Sequence, residues 1–370
     1  MLEHAFTGPP FTVGIEEELM LLDGDSFGLA QEIEAILEAV PSSVNGRIKP
    51  ELMRSVLEIA TGPAPTVGAA GAELRELRSL VAELGAERGL LIGAAGTHPF
   101  GRWEDQEIVE RERYAELIAE LGHIARQELI FGMHVHVAIE GANRAIYVAD
   151  GIRRYLPLLL ALSANSPFWR GHDTGMMSSR IPIFRAFPRQ GIPPHYGTWE
   201  IYAHRVETMV RSGAISDYTY LWWDVRPHPR LGTVETRICD QQTDVERTLA
   251  IAALIVALAR RLSRLYDAEE PLVEYPTELI DDNKVRAALR GLEGQLVDFR
   301  AGRHVPAPVL AERLLEELEP DAEALGCAEE LAWVRDILEE GSGARRQRAA
   351  YERHGDCRRL AAELVIPEAR

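Results

Sequence analysis

Val13-Gly14-Ile15-Glu16-Glu17-Glu18-Leu19-Met20-Leu21-Leu22 is the stretch that decides the fold, because it sets three adjacent acids in an otherwise apolar, strand-like run. Successive side chains of a strand point to opposite faces, so Glu16 and Glu18 share one face and Glu17 lies on the other. The first two carboxylates are then about 7 Å apart and repel each other. A hard cation such as Mg²⁺ between them would offset that repulsion, and the alternative is the solvated face of an edge strand. Glu17 faces the apolar row, where a structural ion pair and a role in a site both stay open.

A second pair of carboxylates, Glu51 and Glu58, lies in an apolar stretch that we predict to be a strand over residues 47–61. A straight strand would place these two side chains on opposite faces. A bulge or bend between them is therefore required if they share a site, and bulges are frequent beside active sites. The alternative is two unrelated surface glutamates.

Two histidines, His134 and His136, alternate with apolar residues in Phe131-Gly132-Met133-His134-Val135-His136-Val137-Ala138-Ile139. The apolar side chains take one face of the predicted strand, so both imidazoles project from the other face beside glycine and alanine. A single histidine in this setting is most often a hydrogen-bonded core residue. Two of them on a face of small residues favour a metal-ligand or phosphate site.

A third predicted strand carries Glu235 and Arg237 on one face, after the turn-forming run Pro227-His228-Pro229-Arg230-Leu231-Gly232. One interpretation is an ordinary ion pair. The other is a carboxylate that binds a metal while the forked guanidinium neutralises a phosphoryl group during transfer.

The segment 171–199 combines turn-forming residues with arginines and reads as a long loop. Loops of this length within a compact domain are commonly functional or disordered. We predict a cover over substrate or nucleotide in which Arg180 and Arg189 contact an anion, and the alternative is a solvated, arginine-rich loop.

The order of elements predicts an α+β fold with a largely antiparallel sheet of about six strands and helices packed on one side. The chain of 370 residues is long enough for one elaborated domain over 1–370, in which the mainly helical part 276–370 forms a cap. The predicted strands cover 11–22, 47–61, 90–95, 129–139, 218–225 and 232–239. The predicted helices cover 29–39, 67–88, 104–121, 143–164, 199–211 and 243–266.

Composition excludes several classes of protein. A net charge of −18 argues against nucleic acid as a partner, because the chain carries no basic field to offset phosphate repulsion. The longest apolar run, Leu249–Ala259, is too short to span a membrane, and the first ten residues lack the pattern of a signal peptide. Three cysteines, Cys239, Cys327 and Cys357, form no disulfide or zinc pattern, so we expect a cytoplasmic protein.

Taken in order, these motifs resemble the glutamine synthetase superfamily. The chain is more narrowly similar to the bacterial carboxylate-amine ligases, also called type 2 glutamate-cysteine ligases. The resemblance rests on Val13-Gly14-Ile15-Glu16-Glu17-Glu18, Gly96-Thr97-His98-Pro99-Phe100, Asn165-Ser166-Pro167-Phe168-Trp169, Trp222-Trp223-Asp224-Val225-Arg226-Pro227 and Glu235-Thr236-Arg237-Ile238-Cys239-Asp240. It extends from about residue 11 to about residue 245 and continues more weakly to the end. It implies a curved sheet with the metals on its concave face.

The resemblance also implies roles for individual residues. One magnesium, nearer the substrate carboxylate, would be bound by Glu18, Glu51 and Glu58. The magnesium that bridges the nucleotide phosphates would be bound by Glu16, His134 and Glu235. Arg237 would stabilise the phosphoryl group in transfer, and His136 would contact nucleotide phosphate. Arg180 and Arg189 of the predicted cover are the further candidates for binding the nucleotide. The implied cofactors are therefore ATP and two or more Mg²⁺ ions, with Mn²⁺ as a substitute.

The implied activity is ATP-dependent amide formation through an acyl phosphate, with an amino acid such as glutamate as the carboxylate and a small amine as the nucleophile. Weak glutamate-cysteine ligase activity and a homodimer are both compatible with the family. Two alternatives remain. His134-Val135-His136 also resembles the paired histidines of metal-dependent amidohydrolases, although the further histidines of those enzymes are missing. The other alternative is a non-catalytic member of the fold that senses a nucleotide by binding it without converting it.

Overall fold

The computed structural model describes residues 2–367. Its strands are β1 (Val13–Asp23), β2 (Ile48–Pro50), β3 (Val56–Ala60), β4 (Leu90–Gly93), β5 (Met133–Ala138), β6 (Phe168–Trp169), β7 (His172–Asp173), β8 (Gln190–Gly191), β9 (Trp222–Trp223), β10 (Val225–His228), β11 (Thr233–Thr236), β12 (Gln295–Asp298) and β13 (Arg303–Pro306).

The helices pack around these strands and dominate the second half of the chain. They are α1 (Ile33–Ala39), α2 (Val67–Ala86), α3 (Glu112–Leu121), α4 (His123–Arg126), α5 (Ala142–Ile152), α6 (Leu156–Ser163), α7 (Arg180–Phe184), α8 (Trp199–Arg211), α9 (Val245–Asp267), α10 (Thr277–Arg290), α11 (Ala307–Leu325), α12 (Ala328–Ala332), α13 (Val334–Glu340), α14 (Gly343–His354) and α15 (Cys357–Ala362). No helix in the described part of the chain combines the length and the apolar character needed to cross a bilayer.

A seven-stranded antiparallel sheet is the centre of the fold, with the order β10-β11-β5-β1-β3-β2 and β4 paired with the far half of β1. The predicted α+β class and antiparallel sheet are thus confirmed. β1 is long because its first half pairs with β5 and its second half with β4, while β3 pairs with its other edge. The acid-rich segment therefore lies in the middle of the sheet.

One face of the sheet packs on helices. Ile15, Leu19, Val135 and Val137 are fully or almost fully buried on that face and belong to one apolar cluster, which also includes the buried face of α9. The same cluster continues into α10 and α11 of the mainly helical C-terminal part. The opposite face of the sheet carries the polar side chains.

Two predicted strands differ from the structure. Residues 47–61 are two antiparallel strands, β2 and β3, in which Lys49 lies opposite Glu58. The chain reverses at 51–55, which supplies the bend that Glu51 and Glu58 require. Residues 218–225 form a 3₁₀ turn and the short β9, and pairing with β11 begins only at Val225. Pro227 is tolerated because β10 is an edge strand.

The predicted helices are mostly found, with two corrections. Residues 104–111 are not α-helical, so α3 begins only at Glu112. The predicted helix over 143–164 is divided into α5 and α6 by a 3₁₀ turn, and Pro157 opens α6 where a missing backbone N–H costs least. The segment 171–199 also contains α7 and β8, so it is not a structureless loop.

Candidate active site

Strand pairing brings both predicted histidines together with the predicted acids other than Glu51. Across β3, β1 and β5, Glu18 lies opposite Glu58 and Glu16 lies opposite His134. One step further, His136 of β5 lies opposite Glu235 of β11. Because paired residues in adjacent strands point to the same face, these side chains form one polar patch in the middle of the sheet.

The first group of carboxylates is Glu18, Glu51 and Glu58. Burial, together with the neighbouring carboxylates, raises the pKa of Glu51 well above its usual range and also raises that of Glu58. Burial raises the pKa of Glu18 to about 7, against the opposing charge of Arg180. The amino group of Lys49, 3.0 Å from Glu58, is the one cation paired with this group by an ion pair among residues 2–367. Three crowded carboxyls with raised pKa values are the donor set that a hard divalent cation stabilises.

The second group contains Glu16, Glu235 and a histidine. Donor atoms of Glu16, His136 and Glu235 all lie within 4.8 Å of one another. Nε2 of His136 is buried, lacks a hydrogen-bond partner among the described residues, and lies 3.5 Å from Glu16 and 3.9 Å from Glu235. Its Nδ1 is 3.0 Å from the Thr233 hydroxyl, a contact that can hold the ring with Nε2 free to bind a metal.

His134 lies between the two groups. Its Nδ1 is 3.2 Å from a Glu16 oxygen, while its buried Nε2 is without a hydrogen-bond partner among the described residues and lies 4.0 Å from Glu18. Burial and the nearby Arg237 lower the pKa of His134 to about 4, so its ring is neutral at physiological pH. Burial alone would lower the pKa of His136 too, but Glu16 and Glu235 raise it above its usual value. The histidine closest to both Glu16 and Glu235 is therefore His136, and not His134, which the resemblance implies as the ligand.

Glu235 is fully buried and contacts two arginines. Arg226 binds it through Nε at 2.6 Å and through Nη2 at 3.2 Å, and Arg237 donates to it through Nη1. Burial would raise the pKa of Glu235, but the two guanidinium groups hold it well below its usual range. Nη1 of Arg226 donates to the carbonyls of Thr219 and Leu221, whereas the buried Nε of Arg237 lacks a hydrogen-bond partner among residues 2–367. Of the two arginines bound to Glu235, Arg237 is thus the one whose Nε is left for a ligand.

Arg180, the first residue of α7, is buried over Gly132, where any side chain would clash with its guanidinium group. Its two terminal nitrogens donate to the carbonyls of Ile238 and Arg237 at 3.2 and 3.3 Å. No carboxylate of the described chain forms an ion pair with it, and its buried Nε lacks an acceptor there. Arg180 is therefore a buried cation available to an anion, and the solvated-loop alternative does not describe it.

These side chains line one cavity of about 360 Å³. The sheet forms its floor and α3 covers part of it, since the Tyr114 hydroxyl donates to the Pro50 carbonyl at 3.0 Å and Arg113 lies 5.8 Å from the Tyr220 ring. The predicted site residues on its walls are Glu16, Glu18, Glu51, Glu58, His134, His136, Arg180, Glu235 and Arg237. Arg189 is the exception, because it stacks behind Trp222 at 5.4 Å and donates to the Tyr220 carbonyl.

Other residues of the cavity were not predicted from the sequence, including Lys49, Arg226 and Glu128. Lys49 lies opposite Glu58 because residues 47–61 fold back as two strands, and the single strand predicted there gave no sign of this pairing. Arg226 lies in a motif that carried the resemblance. Glu128 precedes β5 in an irregular segment, and no pattern in the sequence indicates which way its side chain points. Burial raises the pKa of Glu128 to about 8, with the charge of Glu18 adding to the effect.

Other motif residues are structural. Glu17 is fully buried on the helix-packed face and forms a bidentate ion pair with Arg78 of α2, at 2.6 and 2.7 Å. Asp240 accepts hydrogen bonds from the Asn165 backbone and from the hydroxyls of Ser166 and Ser178. This network ties the Asn165-Ser166 motif to the segment that leads into Arg180, so these motifs support the site without lining it.

The fold is that of known ligases. Over 98% of this chain and 89% of the other, it superposes on a glutamate-cysteine ligase of Francisella tularensis in complex with AMP, with a TM-score of 0.70 and 14% sequence identity. A bifunctional glutathione synthetase of Pasteurella multocida gives a TM-score of 0.69 and 15% identity over 96% of this chain and 52% of that chain. At these identities the likeness establishes the fold.

Sequence comparison establishes the family. A protein of Rubrobacter xylanophilus named "Putative glutamate--cysteine ligase 2-1" is 45% identical over 355 residues, which cover 96% of this chain and 94% of the relative. A Sorangium cellulosum protein named "Putative glutamate--cysteine ligase 2" is 43% identical over 93% of this chain and 92% of its own length. The family model of glutamate-cysteine ligase family 2 matches residues 12–363, and the chain belongs to that family.

Proposed function

We propose that this protein is an ATP-dependent, ADP-forming carboxylate-amine ligase that activates its carboxylate as an acyl phosphate. The observation that carries the proposal is the single cavity in which two groups of acidic donors flank His134, with the free donor of Arg237 beside them. A carboxylate is a poor acyl donor because its charge repels nucleophiles. Transfer of the γ-phosphoryl group of ATP neutralises that charge and provides a leaving group for attack by an amine.

The donor chemistry of the cavity fits Mg²⁺ or Mn²⁺. We assign Glu18, Glu51 and Glu58 to one ion, and Glu16, Glu235 and His136 to another. His134 lies close enough to both groups to contribute to either. Such ions, when bound, would supply positive charge that offsets the negative charge on the phosphate groups during phosphoryl transfer. The fit rests on the raised pKa values of the first group and on the unpartnered Nε2 atoms of both histidines.

The protein's own residues perform the remaining tasks. Arg237 donates to the phosphoryl oxygens, and Glu235 fixes its orientation through Nη1. Arg226 binds the other side of Glu235 and holds this carboxylate in its ionised form. α3 and the segment around α7 limit access of water to the activated carboxylate, which protects an acyl phosphate from hydrolysis. Of the two arginines predicted to contact an anion, we keep only Arg180, because Arg189 does not line the cavity.

Two alternatives are less well supported. A hydrolase of the paired-histidine type needs a nitrogen-rich metal site, whereas this cavity contains more carboxylates than imidazoles. A non-catalytic sensor would bind ATP without transferring its phosphoryl group. Such a protein would not need Arg237, whose free Nε lies beside the metal-ligand groups. The names of the relatives and of the AMP-bound neighbour support a nucleotide-dependent ligase with glutamate and cysteine as substrates to test first.

The decisive experiment measures ADP release with ATP and Mg²⁺ in the presence of each amino acid as carboxylate, with hydroxylamine as a small universal nucleophile. Formation of an acyl hydroxamate together with ADP demonstrates the activated carboxylate. ATP hydrolysis that is independent of any carboxylate, or nucleotide binding without ADP release, would contradict the proposal. Cysteine then replaces hydroxylamine to test the family's named reaction.

A further inference from the structure

We propose that the end of the cavity beside Glu128 is the amine pocket, and that it selects a primary amine with an apolar or aromatic substituent. This inference rests on the proposed ligase function and specifies one of its two substrates. Three observations carry it: an apolar wall, an unpartnered carboxylate next to that wall, and a direct connection from the wall to the reacting groups.

The apolar wall consists of Leu117, Ile130, Phe184, Phe187 and Trp222, all of which line the cavity. They also belong to one small apolar cluster that is separate from the main core, in which Ile130, Phe184 and Phe187 are buried and Leu117 and Trp222 are partly exposed. The rings of Phe187 and Trp222 meet edge to face, 5.5 Å apart. A rigid wall of this kind favours an apolar substituent, because a polar group placed against it would lose hydration without gaining a hydrogen bond.

Glu128 supplies the polar contact at this end. It lies two residues before Ile130 and lines the same cavity. Its carboxylate has neither a hydrogen bond nor an ion pair with any other residue of the described chain, unlike Glu16, Glu58 and Glu235. An amine substrate arrives as an ammonium ion or a neutral N–H donor, and an unpaired carboxyl group accepts a hydrogen bond from either form, whether or not it is ionised. The combination of one acceptor and an apolar wall matches a primary amine with a hydrocarbon substituent.

Arg180 connects this pocket to the reacting groups. Its guanidinium carbon lies 5.8 Å from the centre of the Phe184 ring, and the same guanidinium group donates to the backbone carbonyl of Arg237. Arg180, Arg237 and Glu18 line the same cavity as Glu128, so its carboxyl group shares that cavity with the proposed phosphoryl and metal groups. An amine bound to Glu128 would therefore lie in the same cavity as the activated carboxylate.

Competition among amines tests the proposal with the full-length protein. Butylamine and 2-methoxyethylamine have the same number of heavy atoms and differ by one ether oxygen, and hydroxylamine reports activation without using the apolar wall. For the wild type we expect kcat/KM for butylamine to exceed that for 2-methoxyethylamine by at least about 10-fold. A hydrophobic pocket reaches this selectivity between two substrates that differ by a single group. Calorimetric titration of each amine into the protein without ATP gives a second readout.

Matched variants on α3 locate the effect. Leu117 lines the cavity, whereas Leu121 packs in the same apolar cluster one turn later without lining it. Leu117→Gln should remove the preference for butylamine, and Leu121→Gln should retain it. If Leu117→Gln does not fold, Phe187→Leu serves as the second variant, because a larger but still apolar pocket should shift selectivity toward phenethylamine.

Glu128→Gln should raise KM for butylamine relative to that for hydroxylamine, and the exposed Glu116→Gln on α3 should leave this ratio unchanged. A changed magnesium requirement in Glu128→Gln without a changed amine KM would overturn the assignment of this residue. Equal kcat/KM values for the two isosteric amines in the wild type, or equal effects of the two leucine variants, would overturn the apolar pocket. Absence of hydroxamate with every carboxylate would instead refute the ligase function, and the amine pocket with it.

Discussion

Substitution of Arg237 by lysine separates catalysis from ion pairing. Arg237 uses Nη1 to bind Glu235 and keeps a buried Nε without a partner among the described residues, so one guanidinium group can bind the carboxylate and a phosphoryl oxygen together. Lysine has a single ammonium group, and the buried Glu235 beside it would hold that charge. Loss of one preorganised donor to the transition state lowers kcat by about 10²–10³-fold. ATP affinity should change little, because the lost contact strengthens only during transfer.

Arg226→Lys is the matched control, because Arg226 binds the same carboxylate but has its other donors bound to the carbonyls of Thr219 and Leu221. Lysine there loses about three hydrogen bonds, each contributing about 1 kcal/mol. For a chain of this size that loss corresponds to a Tm lower by about 4 °C. We expect its kcat to fall by less than Arg237→Lys does.

The measurement is kcat and KM for ATP from ADP release, with Tm from calorimetry, for both lysine variants and the wild type. A large fall in kcat with little change in Tm for Arg237→Lys, and the reverse for Arg226→Lys, supports the catalytic role. Nearly normal turnover in Arg237→Lys would refute the reasoning and leave Arg237 as a structural ion-pair partner.

Three other predictions concern the same sheet. Because the folded-state pKa of Glu18 is raised to about 7, this carboxyl destabilises the metal-free protein increasingly as pH rises from its usual pKa toward 7. Glu18→Gln should therefore raise Tm more at pH 8 than at pH 5 while abolishing Mg²⁺-dependent turnover, and a pH-independent Tm difference would contradict this. His136→Ala should weaken Mg²⁺–nucleotide binding, measured by titration calorimetry, at least as much as His134→Ala, because its Nε2 groups with Glu16 and Glu235; a loss confined to His134→Ala would restore the ligand set that the resemblance implies. Glu17→Gln breaks a fully buried ion pair and should cost about 3–5 kcal/mol, or about 4–6 °C in Tm. The exposed pair of Glu246 is the control, and Glu246→Gln should change Tm by less than about 1 °C.

For β1, β5 and β11 the sequence by itself determined the strand and the direction of its side chains. Alternation with period two fixes which residues share a face, so Glu16 and Glu18, His134 and His136, and Glu235 with Arg237 could be paired within each strand before any fold was known. Repulsion between neighbouring carboxylates also predicted a cation site without knowledge of the partner strands. The resemblance then added the family and the roles of the individual site residues.

Only the tertiary structure decided how the strands are registered and what surrounds them. Register places His136 opposite Glu235, and the rotation of each imidazole about its side-chain bonds turns Nε2 of His136 toward Glu16 and Nε2 of His134 toward Glu18. The turn that brings Glu51 to Glu58 and the direction of Glu128 depend on irregular backbone, which carries no periodic signal. Arg180 and Arg189 look equivalent in sequence, yet packing buries one in the cavity and places the other behind Trp222. Contacts of this kind join residues far apart in the chain, so local pattern cannot determine them.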